Sequence, residues 1–384
     1  MGKLQKIVHV VQGNSTISWL IIENVLRDSE FESFFIVTKG ADVAQFKEIF
    51  GRFGSVNYIL CDEVKLSRIS RVLIKMGSLL TSRCSSLFTT FPGEEIKALL
   101  KFRKEPILLH GVSFNRAVHL LLLNHFRSLS YVCWGSVPSP VGKRIKDKIS
   151  FALQRHIVRK YKRIVCLMTA DQLDYERVFG ITTATTIIYQ PGDLANDDPS
   201  ELVAQPQIGK RSVLLGNSAC YTDSYLEILP SLERMAAAIS ITCMLSYPED
   251  DPRGQKKAVI EKYASVFGNN FTPWTRQLDM AGYYARMKTH DIYICNVERQ
   301  AGLGAIYTML MYGKKLYLTG KNLAWIRENN FIVYDVGQIA TESEKAFLSL
   351  LSLEEKRHNH DRLLDMLSPV KIAKEWDHLY SQLG

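Results

Sequence analysis

The chain has 384 residues, of which 46% are hydrophobic and 23% are charged, a balance that excludes a wholly disordered, collagen-like or coiled-coil protein. Since a single hydrophobic core rarely grows beyond roughly 250–300 residues, the length predicts two domains. The net charge is +9, no apolar run reaches the roughly 18–20 residues that cross a bilayer, and no signal-peptide pattern precedes the first predicted strand.

Short apolar runs alternate with helical patterns over the first half of the chain. The runs predicted as strands are 6–11, 34–37, 56–60, 106–110, 130–134 and 163–168, and the helices include 16–27, 115–126 and 170–179. This alternation predicts a parallel sheet that helices cover on both faces.

The pattern changes near residue 190, where a turn-rich, acidic stretch predicts a linker over roughly residues 190–210. The second alternation has predicted strands at 212–216, 239–246, 291–295 and 315–318, and helices at 225–238, 254–267, 277–287 and 304–312. We therefore expect an α/β protein with two Rossmann-like domains, residues 1–195 and 205–384, and an interdomain cleft. The C-terminal helix is a candidate to pack back on the first domain. Ligands of such sheets bind beyond the carboxyl ends of the strands.

The whole excess of positive charge lies in the first 200 residues, which hold 27 Lys and Arg against 18 Asp and Glu. Such a concentration favours either a solvated helix face or attraction to an anionic surface, where each basic residue near anionic lipid is worth about 1 kcal/mol. The candidate membrane-facing residues are Lys65, Arg68, Arg71, Lys75, Lys143, Arg144, Lys146 and Lys148. No nucleic-acid-binding motif accompanies them, so we do not expect nucleic acid as a partner.

Seven cysteines are scattered through the chain without a CxxC pair, and their number is odd. This pattern predicts reduced thiols in a cytoplasmic protein rather than disulfides. No cluster of His, Cys or carboxylates has metal-ligand spacing, so neither a metal nor another cofactor is expected.

The strongest local motif follows the predicted strand 291–295 and opens the next helix. It contains Glu298, Arg299, Gln300, Gly302 and Gly304. The glycines permit close backbone approach at a helix N-terminus, where N–H groups and the helix dipole favour an anion such as a diphosphate. The same pattern also serves tight strand–helix packing, and it is neither a Walker loop nor a Rossmann fingerprint.

Two further loops follow strands of the predicted second domain. Gly216, Asn217 and Ser218 offer backbone amides and small polar side chains, although a plain turn with Ser218 as the helix N-cap explains them equally. Tyr247 is placed to stack on a base or to lie in a simple proline-bounded loop.

In the predicted first domain, His110 lies at the carboxyl end of a strand, where an imidazole could act as a general base at neutral pH. A structural histidine fits the same position. His9 lies within the first strand and is expected to be buried. Trp134 is a second residue at a strand end.

Taken in order, these motifs resemble glycosyltransferase family 56, the bacterial 4-acetamido-4,6-dideoxygalactose (Fuc4NAc) transferases of enterobacterial common antigen synthesis. The resemblance rests on residues distributed along the whole chain. They are Val8-His9-Val10, His110-Gly111, Phe114-Asn115, Trp134-Gly135, the basic helix leading to Arg163, residues 215–218, residues 246–248, residues 299–304, Asn322 and Trp325.

The resemblance implies a GT-B fold that needs no bound metal, a dTDP-sugar donor and a polyprenyl-diphosphate-linked saccharide acceptor. It also implies attachment to the cytoplasmic face of the bacterial inner membrane and inversion at the anomeric carbon. The donor-binding residues would be Gly216, Asn217, Ser218, Tyr247, Arg299, Gln300, Gly302 and Gly304. Gly13, Asn14, Asn115 and Trp134 would bind the acceptor, and His110 would lie near them. Our candidate catalytic residues are His110 and, independently of the resemblance, Glu298.

Two positions depart from the family pattern. Ser136-Val137-Pro138 follows Gly135 where an acidic residue is expected, and Glu298 is acidic where the family is not. We therefore predict a hexosyltransferase of cell-surface polysaccharide synthesis whose donor sugar is open. A glycosyltransferase with an unanchored glycan or protein acceptor is one alternative, and a non-catalytic nucleotide- or nucleic-acid-binding protein is another.

Overall fold

The computed structural model describes residues 6–12, 31–38, 57–61, 99–111, 116–126, 128–135, 145–188, 202–203, 209–219, 223–247 and 254–384. The chain divides into two compact units, one made of Met1–Gly192 with Leu367–Gly384 and the other of Asp193–Met366. The last 18 residues of the chain thus cluster with the first unit, although the predicted second domain runs to residue 384. Strands and helices are numbered below in chain order over the described residues.

The first unit is built on a seven-stranded parallel sheet with the order β3-β2-β1-β4-β5-β6-β7. The strands are β1 Lys6–Gln12, β2 Glu32–Thr38, β3 Asn57–Cys61, β4 Ile107–His110, β5 Leu129–Val132, β6 Ile164–Cys166 and β7 Ala184–Thr186. The inner strands are nearly all apolar because both faces of the sheet are covered. The described helices of this unit are α1 Arg116–His125, α2 Ile145–Lys160, α3 Thr169–Phe179 and, from the C-terminal segment, α11 Pro369–Ser381.

The second unit has a six-stranded parallel sheet with the order β10-β9-β8-β11-β12-β13. Its strands are β8 Arg211–Leu215, β9 Ile239–Met244, β10 Phe271–Trp274, β11 Ile292–Cys295, β12 Lys315–Leu318 and β13 Tyr334–Asp335. Its helices are α4 Tyr225–Glu233, α5 Gln255–Phe267, α6 Met280–Lys288, α7 Leu303–Met311, α8 Gly320–Glu328, α9 Glu344–Leu348 and α10 Leu353–Met366, with short 3-10 helices at Gly268–Asn270 and Val336–Ala340.

In each sheet, the direction in which successive strands of the chain are added reverses at one place. The strand order reverses between β1 and β4 in the first unit and between β8 and β11 in the second. These are the topological switch points at which doubly wound sheets leave space for a ligand. The predicted class of two parallel α/β domains is confirmed.

Three short strands were missing from the prediction, namely β7, β10 and β13. All three lie at the edges of their sheets, and β10 contains Pro273. Edge strands tolerate proline and need little hydrophobic patterning, so their sequences carry a weak strand signal. The helices after residue 315, α8 to α11, were also absent from the element-by-element prediction.

Candidate functional site

The switch point of the second unit brings two loops together. Leu215 of β8 pairs with Ile294 of β11, and the Gly216 N–H donates to the Ile294 carbonyl at 2.8 Å. Because the strands are parallel, the loops that follow them leave the same edge of the sheet. We call residues 216–218 and 296–302 the switch-point loops.

The buried side chain of Tyr225 packs against the first of these loops. Gly216 has φ = +79°, and a Cβ there would lie 2.0 Å from the Tyr225 hydroxyl oxygen. That hydroxyl lies 2.9 Å from the Ser218 carbonyl and 2.5 Å from the Met244 carbonyl. Any residue but glycine at 216 would therefore displace the ring that holds the loop in place.

The two switch-point loops touch at Gly302. This residue has φ = +66°, and a Cβ would lie 2.8 Å from Asn217 Oδ1. Gly302 is also the N-cap of α7, which within the described residues has no side-chain cap and no acidic residue in its first turn. The first N–H groups of α7 are therefore available to an external anion, whose charge the helix dipole favours.

Asp223 is a functional candidate that the sequence analysis missed. Its fully buried carboxylate accepts hydrogen bonds from the Ser218 N–H at 2.7 Å, the Ser218 hydroxyl at 2.9 Å and the Asn217 N–H at 3.3 Å. Burial raises the pKa of this carboxyl, and the Ser218 hydrogen bonds and the Arg299 charge oppose that rise. An aspartate eight residues after a strand is no recognisable motif, so only the fold reveals it.

Arg299 supplies the positive charge of the second loop. Its Nη2 lies 3.8 Å from Asp223 Oδ1, and its Nη1 donates to the Gln300 carbonyl at 3.1 Å. The side chain remains 33% exposed. The guanidinium is therefore anchored from inside the protein while part of it faces solvent.

The side chain of Asn322, on α8, hydrogen-bonds to the backbone of the second switch-point loop. Its fully buried amide donates to the Ala301 carbonyl at 2.8 Å and accepts from the Ala301 N–H at 3.3 Å. The sequence analysis used Asn322 only as part of a resemblance. Its position explains that motif, because the amide fixes the backbone immediately before Gly302.

The remaining predicted donor and catalytic residues of this unit occupy distinct environments. Tyr247 is 62% exposed, and its carbonyl accepts from the Ala219 N–H at 2.5 Å. Gln300 is buried, and its Oε1 has no partner among the described residues. Glu298 is exposed and accepts from the Thr319 hydroxyl at 3.3 Å. Gly304 lies in the first turn of α7, where its carbonyl accepts from Thr308.

The switch point of the first unit holds a buried pair of histidines. His9 Nδ1 and His110 Nε2 are 3.0 Å apart, and both side chains are fully buried. Desolvation lowers the pKa of His110 to about 3 and that of His9 well below its usual value. The sequence analysis expects His9 to be buried, as it is, and leaves His110 open between a general base and a structural histidine; the structure buries His110 completely.

Aromatic rings complete the surroundings of this pair. His9 stacks on Phe35 and meets the edge of Tyr380, while the ring centroid of Trp376 lies 5.9 Å from that of His110. Trp376 and Tyr380 belong to α11, so the C-terminal segment covers the histidines. The role of His110 as a general base stays a prediction.

Only one of the predicted acceptor residues can be placed. Trp134 packs against Gly111, where a Cβ would come within 2.5 Å of its ring. Its Nε1 is buried without a partner among the residues described by the structure. Gly13, Asn14 and Asn115 lie outside the described residues.

The basic segments are described only in part. Lys65, Arg68, Arg71, Lys75, Lys143 and Arg144 lie outside the described residues. Lys146 falls in the first turn of α2, and Lys148 is exposed there. Ile145 and Ile149 on the same helix are 77% and 62% exposed. The start of α2 thus presents apolar and basic side chains together.

In the described part of the chain, no helix has the length and apolar character needed to traverse a bilayer. Over the same residues, no three His, Cys, Asp or Glu side chains are grouped so that they could hold a metal ion.

A family model decides the class of the protein. Residues 89–337 match the model described as 4-alpha-L-fucosyltransferase, glycosyl transferase group 56. The chain belongs to this family. The match includes β4, β8, β11 and both switch-point loops, and it sets aside the alternative of a non-catalytic binding protein.

Solved structures show the fold. A glycosyltransferase from Rickettsia africae is 12% identical and has a TM-score of 0.67, with 99% of each chain covered. HepE from Anabaena, in complex with UDP, is 10% identical with a TM-score of 0.67 and covers 98% of this chain and 100% of its own. A trehalose-phosphate synthase from Burkholderia vietnamiensis is 13% identical with a TM-score of 0.64, with 99% of each chain covered. The protein is a glycosyltransferase with the GT-B fold.

The contact between the loops can be tested at Gly302. Gly302→Ala should lower the free energy of unfolding by more than the roughly 1–2 kcal/mol cost of a left-handed non-glycine residue, because the new Cβ also collides with Asn217. Gly254→Ala is the matched control, since Gly254 is the N-cap of α5 with φ = +68° and open space around its Cβ position. Equal destabilisation of the two variants in urea unfolding would contradict a close contact between the loops.

The buried histidine pair predicts a dependence of stability on pH. Because both folded-state pKa values are lowered, the unfolded chain binds more protons below pH 6.5 than the folded chain does. The free energy of unfolding should therefore fall as the pH drops from about 6.5 toward 3, by up to about 1.4 kcal/mol per pH unit for each histidine.

A double variant measures that contribution. His9→Asn with His110→Gln keeps polar atoms near the contacting ring nitrogens but removes the titration. Its Tm between pH 7 and pH 4.5 should fall less steeply than that of the wild type. His378→Gln, at an exposed position on α11, leaves the pair intact and should keep the wild-type slope. Parallel slopes for all three proteins would show that the pair does not titrate in this way.

Proposed function

We propose that the protein transfers a hexose, of the acetamido-dideoxy type, from a nucleoside-diphosphate donor to a polyprenyl-diphosphate-linked saccharide. The donor implied by the family resemblance is a dTDP-sugar. The product would be an intermediate of cell-surface polysaccharide synthesis, made at the cytoplasmic face of the inner membrane. The reaction would need no metal and would invert the anomeric carbon.

One observation carries the donor side of this proposal: the loop that holds the partly exposed Arg299 ends three residues later at Gly302, the N-cap of α7 without a side-chain cap. A departing nucleoside diphosphate gains negative charge as the glycosidic bond breaks. N–H groups at the start of α7 and the Arg299 guanidinium would stabilise that charge in the transition state. HepE, a protein of the same fold, is known in complex with UDP, which supports a nucleoside diphosphate as a ligand of this fold.

The remaining donor residues would bind the rest of the nucleotide-sugar. Asn217 presents a small polar group beside Gly302, and the exposed ring of Tyr247 is suited to stacking on a base. Ser218 is buried with its N–H and hydroxyl bound to Asp223, so its role would be to hold the loop. On the acceptor side, His110 and Trp134 of the first unit are the described candidates. Glu298, the exposed carboxylate of the second switch-point loop, is the other candidate for proton transfer.

The start of α2 supports attachment to a membrane surface. Ile145 and Ile149 are four residues apart and so project from the same side of the helix, with Lys148 beside them. Further along the helix, Leu153 and Ile157 are buried in the core. Apolar side chains flanked by basic ones fit the boundary of an anionic bilayer, where both kinds of side chain gain free energy.

The donor class can be tested by thermal stabilisation. Since a ligand that binds only the folded state raises its stability, dTDP or UDP should raise the Tm in a concentration-dependent manner, and the monophosphates should do so less. A ligand at 100 times its Kd contributes about 2.7 kcal/mol. Purine nucleoside diphosphates are the matched control. No stabilisation by any nucleoside diphosphate would contradict the proposed donor site.

Membrane attachment can be tested by co-sedimentation with vesicles of anionic phospholipid. Ile145→Ser with Ile149→Ser should reduce the bound fraction, because insertion of each isoleucine contributes up to about 1.5–3 kcal/mol. Lys148→Glu should reduce it further at low salt. Leu173→Ser is the control, since Leu173 is 57% exposed on α3 but has Asp174 beside it.

Two outcomes of that experiment have different meanings. Vesicle binding that the isoleucine variant loses and the Leu173 variant keeps supports a lipid-linked acceptor presented at the membrane. Absence of vesicle binding by the wild type would instead favour the alternative of an unanchored glycan or protein acceptor.

A further inference from the structure

The Asp223 carboxylate joins the two switch-point loops. Its Oδ2 accepts all three hydrogen bonds from Asn217 and Ser218, whereas its Oδ1 lies 3.8 Å from Arg299 Nη2. One oxygen therefore serves the loop after β8, and the other faces the loop after β11. The carboxylate is fully buried, while the arginine is one-third exposed.

The three hydrogen bonds already explain how the first loop is held. They satisfy one oxygen of the carboxylate and offset part of the cost of burying its charge. The approach to Arg299 does something else. The ion pair at 3.8 Å and the hydrogen bond from Nη1 to the Gln300 carbonyl together favour one position of the guanidinium in the loop that leads into α7. An arginine held in this way loses less rotamer freedom when an anion binds.

The carboxylate also carries a cost for anion binding. A negative charge beside an arginine that receives a diphosphate repels that diphosphate by Coulomb's law. A site selected only for positive potential would therefore omit Asp223. The three hydrogen bonds that hold the first loop offset part of this repulsion, and an orienting effect on Arg299 would offset more of it.

We propose that Asp223 is a positioning residue for the donor, which acts by fixing the Arg299 guanidinium toward the diphosphate. This inference rests on the proposed function, because that function puts the diphosphate at the start of α7. Asp223 itself need not contact the ligand, since it is buried beneath the loop.

Asp223→Asn tests the roles of the two carboxylate oxygens separately. The amide oxygen can replace Oδ2 and keep the hydrogen bonds from Asn217 and Ser218. The amide NH2 group then faces Arg299, which it cannot bind, so the loop stays in place and the guanidinium is released. Asp361→Asn is the matched control, because it makes the same change of net charge at an exposed position on α10.

The test measures the Kd of UDP and dTDP by isothermal titration calorimetry. If Asp223 positions Arg299, Asp223→Asn should weaken binding about three- to tenfold, because it removes an ion pair at 3.8 Å to an arginine that is one-third exposed. If Asp223 affects binding only through the repulsion between its negative charge and the diphosphate, removal of the carboxylate should instead strengthen binding. The two explanations thus predict opposite signs, and Asp361→Asn should change Kd little in either case.

A double-mutant cycle shows whether Arg299 carries the effect. Arg299→Ala should weaken binding at least tenfold, and adding Asp223→Asn to it should cause no further loss. A further loss in that background, or unchanged or tighter binding of Asp223→Asn alone, would overturn the positioning role while leaving the donor site in place. Unchanged binding of Arg299→Ala, or no binding by the wild type, would overturn the proposed donor site and the positioning role together.

Circular dichroism and the Tm of each variant establish that it folds. Should Asp223→Asn be unfolded, Arg299→Lys tests the same pair from its other side. A lysine keeps the charge but not the planar, preorganised fork of donors. Weaker binding of nucleotide to Arg299→Lys supports a positioned guanidinium, and unchanged binding would overturn it.

Discussion

The candidate donor site of the second unit is built around one contact, the approach of the Gly302 backbone to the Asn217 side chain. At this point the loops after β8 and β11 come so close that no Cβ fits between them. The approach brings the N-terminus of α7, the Asn217 side chain and the loop that carries Arg299 to one edge of the sheet. Without it the two loops would leave the same sheet edge and still present no common surface to a ligand.

Three buried polar side chains hold the two loops in the positions that allow this contact. Tyr225 fills the space under Gly216, Asp223 gathers the N–H groups of the first loop, and Asn322 fixes the backbone before Gly302. Each is fully buried and hydrogen-bonded, so each holds the backbone firmly. The loops are therefore organised before any ligand arrives, as a site that stabilises a developing charge requires.

The first unit uses its switch point differently. Its sheet also reverses between two neighbouring strands, but the side chains there are two enclosed histidines under the aromatic rings of α11. Burial keeps these imidazoles neutral at physiological pH. The same topology therefore carries the candidate donor loops in one unit and an uncharged polar cluster in the other. The difference arises from the residues at the strand ends.

The sequence by itself determined the fold class, most inner strands and the candidate donor loop, because buried parallel strands form continuous apolar runs and glycines mark the loop. The sequence left open whether His110 is structural and whether the C-terminal helix packs on the first domain, and only the tertiary structure revealed Asp223 and the function of Asn322. Periodicity reports which residues within one element are buried. It carries no information about which distant side chains meet, and hydrogen bonds such as those of Asp223 and Asn322 depend entirely on that meeting.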